Sequence, residues 1–325
     1  MKYFASILAA LAAAFGCALA AAQGYPTKPV QVVIPYPPGG VDISIRLLMP
    51  AIEQELGMPW VIDYKPGASG LIGMEYVARA QPDGYTLLAT SSNPWVVLPA
   101  MRAKTPYDPV KDFTPITNTT EGVNVIVAAT AFPPNSFREM LDYAKRNPGK
   151  LSWATSGLGS FWHLDSENMN RLAGTDVLHV PFQGFGPMIP AMYSGQVSMG
   201  LLTLQIAQPL LNAGKLKNIA ILNANGKAKS MYPPGIQIVS DVLPGFQSGA
   251  SWNGVGGPAG VPRAIVMRTN AAVIKALRQK ELQERFTREG VLGSGNTPEE
   301  FAARIVSDLA NSREIVKAAK IALLE

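Results

Sequence analysis

The chain has 325 residues and a mass of 34.6 kDa, which is long for one hydrophobic core and favours two domains. It is 47% hydrophobic and only 16% charged, so the composition excludes a disordered chain. The formal net charge is +5, but the Lys and Arg residues are scattered along the sequence. We therefore expect no nucleic-acid binding and a mild attraction for small anions.

The first 22 residues, "MKYFASILAALAAAFGCALAAA", predict a signal peptide, because one Lys precedes an apolar run that ends in small residues. We expect cleavage after Ala20 or Ala22. A permanent membrane anchor is disfavoured because the run is rich in alanine. The single cysteine, Cys17, lies inside this segment, and the bulky Phe15 disfavours a lipid anchor there. The exported chain then has no thiol, which excludes disulfides, thiolate nucleophiles and thiolate metal sites, and suits a periplasmic protein.

Strand-like and helix-like segments alternate through the first third of the chain. They predict β-α-β-α-β, which is the pattern of a mainly parallel sheet covered by helices. The predicted segments are strand Val30–Pro35, helix Ile43–Leu56, strand Trp60–Tyr64, helix Leu71–Ala80 and a strand that ends near Thr90.

A second α/β series follows the segment "FTPITNTTEGVNVIVAA". Its first helix opens with a Ser in the capping position. The series comprises helix Ser136–Arg146, strand Leu151–Ala154, helix Ser160–Leu172, strand Val177–Val180, helix Gly186–Tyr193, strand Val197–Leu201 and helix Ile206–Leu211.

The last part of the chain predicts three helices, near Pro262–Arg278, Glu281–Glu289 and Pro298–Ile321. Helices of this length need a surface to pack on, and the first unit has only three clear strands. We therefore predict an α/β, two-lobed binding-protein fold with two hinge crossings, near residues 118–128 and 246–254. Lobe 1 is predicted to comprise residues 23–120 and 250–325, and lobe 2 residues 121–249.

Four loops rich in Gly, Ser and Pro follow predicted strands, where ligands bind in open α/β sheets. A helix begins after such a loop, and its free N–H groups attract anions. A single loop of this kind is more often a simple cap or turn, but the set predicts a site shared by both lobes. The loops are "PYPPGGVD" (35–42), "KPGASG" (65–70), "TSSNP" (90–94, with Ser91 and Ser92) and "TSGLGSFWH" (155–163).

Motifs for catalysis or cofactor binding are missing from the sequence. There is no G-x-S-x-G elbow, no G-x-G-x-x-G fingerprint and no P-loop. A Ser-His-acid triad would have to use His163 or His179, the only histidines, and no His and carboxylate residues have metal-site spacing. We expect no metal, no cofactor and no enzymatic activity.

The aromatic residues divide between core and cleft. Trp153, Phe182 and Trp252 lie in or near predicted strands and are expected in the core. Phe161 and Trp162 directly follow "GLGS", so at least one of them is expected to face the cleft.

The sequence resembles the periplasmic solute receptors of tripartite tricarboxylate transporters, the Bug-type receptors, over the whole exported chain. The motifs that carry this resemblance are "YPTKPVQVVIPYPPGG", "KPGASGLIGMEYVARAQPDGYTLL", "YDPVKDFTPIT", "NPGKLSWATSGLGS", "HVPFQG", "AGKLKNIAI", "SWNGVGGPAGVP" and "TPEEFAARI".

The resemblance implies two lobes that close on a small carboxylate and deliver it, as a monomer, to integral membrane permease subunits. We expect Asp42 to cap the following helix and to fix the first-lobe loop rather than meet an anionic ligand directly. The resemblance implies that this loop comprises Pro38, Gly39, Gly40 and Asp42. In the second lobe it implies the residues Gly157, Gly159, Ser160 and His163. The far end of the ligand would meet the turn Phe182, Gln183 and Gly184, together with Thr203 and Gln205.

The chain departs from the family pattern at several positions. Only Val41 separates the Gly pair from Asp42, so a tighter loop is expected. Ser198 stands where many members carry Asp, and the next segment, "MGLLTLQ", lacks the acidic residue often found there. Loss of acid there would favour a second negative charge or a neutral ring, and Phe161 with Trp162 hints at an aromatic acid. A receptor that reports to a sensor kinase and a secreted hydrolase are the alternatives.

Overall fold

The computed structural model describes residues 24–222, 231–232, 235–249 and 251–325. The predicted signal peptide at residues 1–22, with Cys17, lies outside these residues, and so does residue 250, the predicted start of the second part of lobe 1. Within the described ranges, no helix combines the length and the apolar character needed to cross a lipid bilayer.

The secondary structure alternates between strands and helices, as predicted. In chain order the strands are β1 (Val30–Ile34), β2 (Trp60–Tyr64), β3 (Thr86–Ser91), β4 (Phe113–Gly122), β5 (Asn124–Ala129), β6 (Ser152–Thr155), β7 (Leu178–Pro181), β8 (Met199–Thr203), β9 (Leu216–Ile221), β10 (Trp252–Pro258) and β11 (Val291–Gly293). The helices are α1 (Val41–Leu56), α2 (Leu71–Ala78), α3 (Leu98–Met101), α4 (Phe137–Arg146), α5 (Phe161–Ala173), α6 (Phe185–Tyr193), α7 (Leu204–Asn212), α8 (Val239–Val242), α9 (Arg263–Leu277), α10 (Lys280–Arg288) and α11 (Pro298–Ala318).

Two separate sheets form the two lobes. The first has the order β11-β4-β10-β3-β1-β2 and the second the order β7-β6-β8-β5-β9. In the first sheet β1 is parallel to β2 and β3, whereas β10 is antiparallel to both β3 and β4, and β11 is antiparallel to β4. In the second sheet β6 is parallel to β7 and β8, and β5 alone runs against its neighbours. The predicted α/β, mainly parallel, two-lobed fold is confirmed, with antiparallel strands added to each sheet.

The chain passes between the sheets at two adjacent places. Only Val123 separates the end of β4 from the start of β5. The return passage leads from α8 into β10, and there the N–H of Gly122 donates to the carbonyl of Ser251 at 3.0 Å. The two crossings therefore lie side by side, as a hinge requires. The division of the chain at residues 120 and 250 stays a prediction.

The strand β11 was not predicted, and β4 and β10 were predicted only as crossing strands near residues 118–128 and 246–254, because all three strands are polar or rich in glycine. The glycines of β10 have a packing reason, since a Cβ on Gly254 would lie 2.4 Å from the ring of Phe301. A Cβ on Gly256 would lie 2.4 Å from the ring of Trp95, and the two rings pack with centroids 5.6 Å apart. Glycine lets these large rings press against the strand itself, which hides the usual β-branched pattern.

A buried carboxylate fastens α5 to the second crossing. Asp165 is fully buried, and its two oxygens accept hydrogen bonds from the N–H of Gly249 at 2.6 Å and the hydroxyl of Ser248 at 2.7 Å. Burial raises the pKa of Asp165 to about 7, because removal from water disfavours the charged form.

This shift predicts a pH-dependent stability. In the unfolded chain an Asp titrates near pH ~3.9, so the folded chain binds this proton more tightly. The stabilisation that results from this tighter binding is complete below pH ~3.9 and is lost as the pH rises towards about 7. In the Asp165→Asn variant the amide oxygen can still accept from the N–H of Gly249, and the amide NH2 can donate to Ser248 Oγ, which reverses that hydrogen bond. The side chain cannot ionise. We expect its free energy of unfolding to rise relative to the native chain between pH ~4 and ~7, as measured by urea unfolding. A difference that stays constant with pH would contradict this.

Candidate functional site

A cleft of about 760 Å³ lies between the lobes, where loops leave the carboxyl ends of β1, β3, β6, β7 and β8. The crossings also line it, through Gly122 and Ser251. The structure brings most of the predicted site residues to its wall: Pro38, Gly39, Gly40, Ser91, Ser92, Gly157, Ser160, Phe161, Trp162, Phe182, Gln183, Gly184 and Thr203.

The cleft wall is polar but carries no charged side chain. Among the described residues that line it there is no Asp, Glu, Lys, Arg or His. Hydroxyl and amide groups supply the polar side chains, in particular those of Ser44, Ser91, Asn93, Gln205 and Asn253. Any charge that the cleft attracts must therefore be recognised by backbone dipoles and neutral hydrogen-bond donors.

Four helices begin at this wall. Their capping residues are Gly40 for α1, Ser160 for α5, Gly184 for α6 and Thr203 for α7, and all four line the cleft. No side chain caps α1, α6 or α7, so their first turns keep N–H groups that no side-chain acceptor occupies. Each helix start adds a partial positive charge, and the four together favour an anion.

The first-lobe loop depends on glycine for its shape. Gly39 has φ +133° and Gly40 has φ +40°, and a Cβ on either would meet no atom within 4 Å. Such angles are strained for residues with a side chain. The loop thus presents bare backbone to the cleft and is closed by the N–H of Asp42, which donates to the carbonyl of Gly39 at 2.8 Å.

The predicted role of Asp42 as a helix cap is wrong. Gly40 occupies the capping position without any side-chain bond. The buried carboxylate of Asp42 instead accepts from Arg46 Nε and from the Tyr64 hydroxyl, each at 2.7 Å. Asp42 does not line the cleft, and we assign it to fixing the loop from behind.

The other wall of the first lobe is built from Tyr36 and the loop after β3. The hydroxyls of Tyr36 and Ser91 share a hydrogen bond of 2.9 Å. Burial raises the pKa of Tyr36, so its hydroxyl stays neutral. From the loop "KPGASG" only Ser69 lines the cleft.

The second-lobe loop is held by its own hydrogen bonds. Ser160 Oγ accepts from the N–H of His163 at 3.2 Å and donates to the carbonyl of Gly157 at 2.7 Å. The neighbouring turn joins it, because the N–H of Gly184 donates to the carbonyl of Ser156 at 3.1 Å. The start of α5 and the start of α6 therefore form one continuous wall.

Aromatic rings form the apolar part of this wall. Phe161 and Trp162 lie with centroids 3.9 Å apart, and Phe185 meets Trp162 edge-on at 5.1 Å. Phe182, expected in the core, is half-buried and lines the cleft. Trp252 is buried as expected, yet it also reaches the cleft, and its Nε1 donates to Asp308 at 2.7 Å.

Gly159 and His163 lie behind the wall rather than on it. A Cβ on Gly159 would lie 2.9 Å from Leu324 and 3.0 Å from Leu98, so this residue marks a close contact between the lobes. The ring of His163 stacks on that of His179 at 4.1 Å, and burial lowers the pKa of both to about 4. The low pKa values keep both imidazoles neutral, and neither histidine lines the cleft.

The catalytic arrangement of a Ser-His hydrolase is not formed in the described part of the chain. The hydroxyl of Ser160 bonds only to backbone atoms near His163, and His179 Nε2 lies 2.7 Å from Thr155 Oγ1 rather than from a serine. Neither histidine lines the cleft.

Sequence reasoning missed part of the site. Phe185, Ile206 and Val291 line the cleft, as do Ser251 and Asn253 from the second crossing. Ser251 and Asn253 could have been found from the predicted hinge, because a hinge between two lobes borders the cleft between them. Ser198 was expected near the ligand. It instead exchanges hydrogen bonds of 3.0 and 3.1 Å with Ser152, at the amino ends of β6 and β8, whereas the cleft lies at the carboxyl ends of these strands. For Ser198 the inference from a missing acid is therefore wrong, whereas the segment "MGLLTLQ" does reach the cleft, through Thr203 and Gln205, without an acidic residue.

A sequence profile of the family described as "Tripartite tricarboxylate transporter family receptor" matches residues 45–321. The chain belongs to this family. Its relatives include a UPF0065 protein of Pseudomonas sp. strain P51, from the tcbD-tcbE intergenic region, which is 30% identical over 95% of this chain and 93% of its own length. BugT of Bordetella pertussis is 27% identical, over 91% of this chain and 90% of its own.

Solved structures of this receptor family share the fold. MatC from Rhodopseudomonas palustris with bound malate is 32% identical, with a TM-score of 0.76 over 90% of this chain and 100% of its own. An R. palustris protein with adipate is 28% identical, with a TM-score of 0.81 over 92% and 100%. The tripartite tricarboxylate transporter receptors are solute-binding proteins rather than enzymes, so the predicted class of function is confirmed at that level.

Proposed function

We propose that this receptor captures a small dicarboxylate between its lobes in the periplasm and delivers it to the permease subunits of a tripartite tricarboxylate transporter. One observation carries the proposal: helix starts from both lobes meet in a cleft whose lining, in the described residues, has no charged side chain. The malate and adipate bound by two relatives of this fold support the choice of ligand class.

One carboxylate of the ligand is held where the first-lobe loop faces the second-lobe loop. The N–H groups near Gly40 approach it from one side, and the start of α5, near Ser160, approaches from the other. Hydrogen bonds to a charged group are worth about 1.5–3 kcal/mol each, and more when water is excluded. Closing the lobes removes that water, so the ligand itself stabilises the closed form.

The far end of the ligand lies between the aromatic wall and the starts of α6 and α7. Gln205 and Thr203 supply neutral polar groups there, and Phe161 and Phe185 cover the ligand's carbon chain. A second carboxylate gains the dipoles of two further helices without meeting a negative side chain. An aromatic acid would use the same rings for stacking, at the cost of the second charge.

Titration calorimetry with the purified receptor tests this function. The panel comprises malate, succinate, adipate, citrate and benzoate, and the diamide of the best dicarboxylate is the matched control of equal shape without charge. We expect micromolar binding of at least one dicarboxylate and no measurable binding of its diamide. Failure of every acid, or equal binding of the diamide, would refute the proposal.

A further inference from the structure

The two histidines of the chain lie together with an acidic residue behind the second-lobe loop. His163, Glu167 and His179 each offer a ligand atom, and these atoms all lie within 4.8 Å of one another. His163 is buried, and the other two are half-buried. The group is separate from the cleft, since none of the three lines it.

The fold explains how these residues meet. His163 and Glu167 are four residues apart on α5, so their side chains share one face of the helix. His179 lies on β7, which pairs with β6 so that His179 is the partner of Trp153. The two histidines are 16 positions apart in the sequence, which hides this arrangement from a search for sequence spacing.

No cationic side chain already pairs with the acidic member of the group. Within the described residues no Lys or Arg forms an ion pair with Glu167. Its ionisable neighbours include the two imidazole rings and the carboxylate of Asp176. The carboxylate thus has acidic and imidazole neighbours but no counter-charge in this part of the chain.

We propose that His163, Glu167 and His179 bind one divalent transition-metal ion of the zinc class. Two imidazoles and a carboxylate form a donor set that suits Zn²⁺ and Co²⁺. The hydrogen bond between His179 Nε2 and Thr155 Oγ1 is the outer contact that fixes a ligating ring, and it leaves Nδ1 for the ion.

Binding requires a small rearrangement. Metal bonds of about 2.0–2.2 Å place tetrahedral donor atoms about 3.3–3.6 Å apart. In the present structure the three donor atoms are separated by up to 4.8 Å. The two rings now lie almost parallel, 8° apart, so one of them rotates out of the stack to aim its nitrogen at the ion. His163 Nδ1 accepts a long, 3.4 Å bond from the N–H of Gly159, and this bond is the contact that the rotation gives up.

The proposed metal site lies next to the ligand site at Gly159, because the N–H of Gly159 lies 3.4 Å from His163 Nδ1. Gly159 belongs to the loop whose neighbours Gly157 and Ser160 line the cleft. An ion on His163 would fasten α5 to β7 directly beneath this loop. It follows that metal occupancy stabilises the second lobe even without a carboxylate ligand.

Metal titration of the full chain, purified without a polyhistidine tag, tests this proposal. We expect one Zn²⁺ per chain by calorimetry and visible absorption bands on addition of Co²⁺. Glu167→Gln and His179→Asn should each weaken binding at least ~10-fold. Asp176→Asn is the control, because it removes the nearby charge without removing a ligand, and it should bind nearly as well as the native chain.

The metal titration tests this proposal independently of the function of the cleft, because no carboxylate ligand is added to the sample. Glu167 is half-buried, so its amide variant is expected to fold, and circular dichroism checks this. Absence of Zn²⁺ binding by the native chain would overturn the proposal. Equal binding by the native chain and both ligand variants would also overturn it, since the ion would then lie elsewhere.

Discussion

A chain carrying Gly40→Ala should lose carboxylate affinity by about 100-fold or more while remaining folded, as measured by calorimetry with the best ligand of the panel. Gly40 has φ +40° and ψ −102°, a backbone conformation in which a Cβ is strained, so the loop must relax to accept alanine. The N–H groups at the start of α1 move with it. Losing two charge-assisted hydrogen bonds costs about 3 kcal/mol, which is the expected loss of affinity.

The matched control is Gly57→Ala, at the other end of the same helix. Gly57 also has a positive φ, +77°, and a Cβ there would likewise meet no atom within 4 Å. Both variants should lose about 1 kcal/mol of stability, but only Gly40→Ala should lose binding. Equal affinity in the two variants would show that the first-lobe loop does not hold the ligand.

Gly290→Ala should keep the lobes apart and weaken ligand binding at least ~10-fold, because the ligand must then select a rarer closed form. Gly290 follows α10 in the first lobe, and a Cβ there would lie 2.7 Å from the backbone N of Gln205 in the second lobe. The adjacent side chains of Glu289 and Gln205 share a long hydrogen bond of 3.4 Å. This contact joins the two lobes, so we expect it to break when they move apart.

Gly260→Ala is the control for this prediction. Gly260 has a similar φ of +88°, but its Cβ would meet only Pro82, at an ordinary 3.8 Å and within the first lobe. Small-angle X-ray scattering with saturating ligand should show a compact receptor for Gly260→Ala and a more extended one for Gly290→Ala. Ligand-induced compaction of both variants would contradict the assigned contact.

The parts of the fold that follow local rules could be predicted. β1 and β2 have apolar runs and α5 begins with a capping serine, so their positions followed from the sequence alone. The extent of the glycine-rich β10 and its place between β4 and β3 could not be predicted, because its glycines make room for the rings of Trp95 and Phe301, which lie far away in sequence. Packing between distant segments overrides propensity at such places.

The site shows the same division. The loops at Gly39 and Gly157 were predicted because the carboxyl ends of parallel strands always meet at one edge of a sheet. The sequence could not show which side chains of these loops face the cleft and which turn away from it. Asp42 and His163 stand beside residues of the wall, and only their partners, Arg46 and His179, show which way they point.

A cleft that recognises its ligand through main-chain groups is hard to lose by mutation. Every residue except proline brings an N–H, so substitutions along the wall can change ligand length, shape or hydrophobicity while the preference for an acid persists. A relative only 28% identical retains the fold with a TM-score of 0.81 and is bound to adipate, which fits such tolerance. An ancestral receptor of this kind can therefore give rise to many paralogues that divide the available organic acids among them, each altered in its side chains and unaltered in its chemistry of capture.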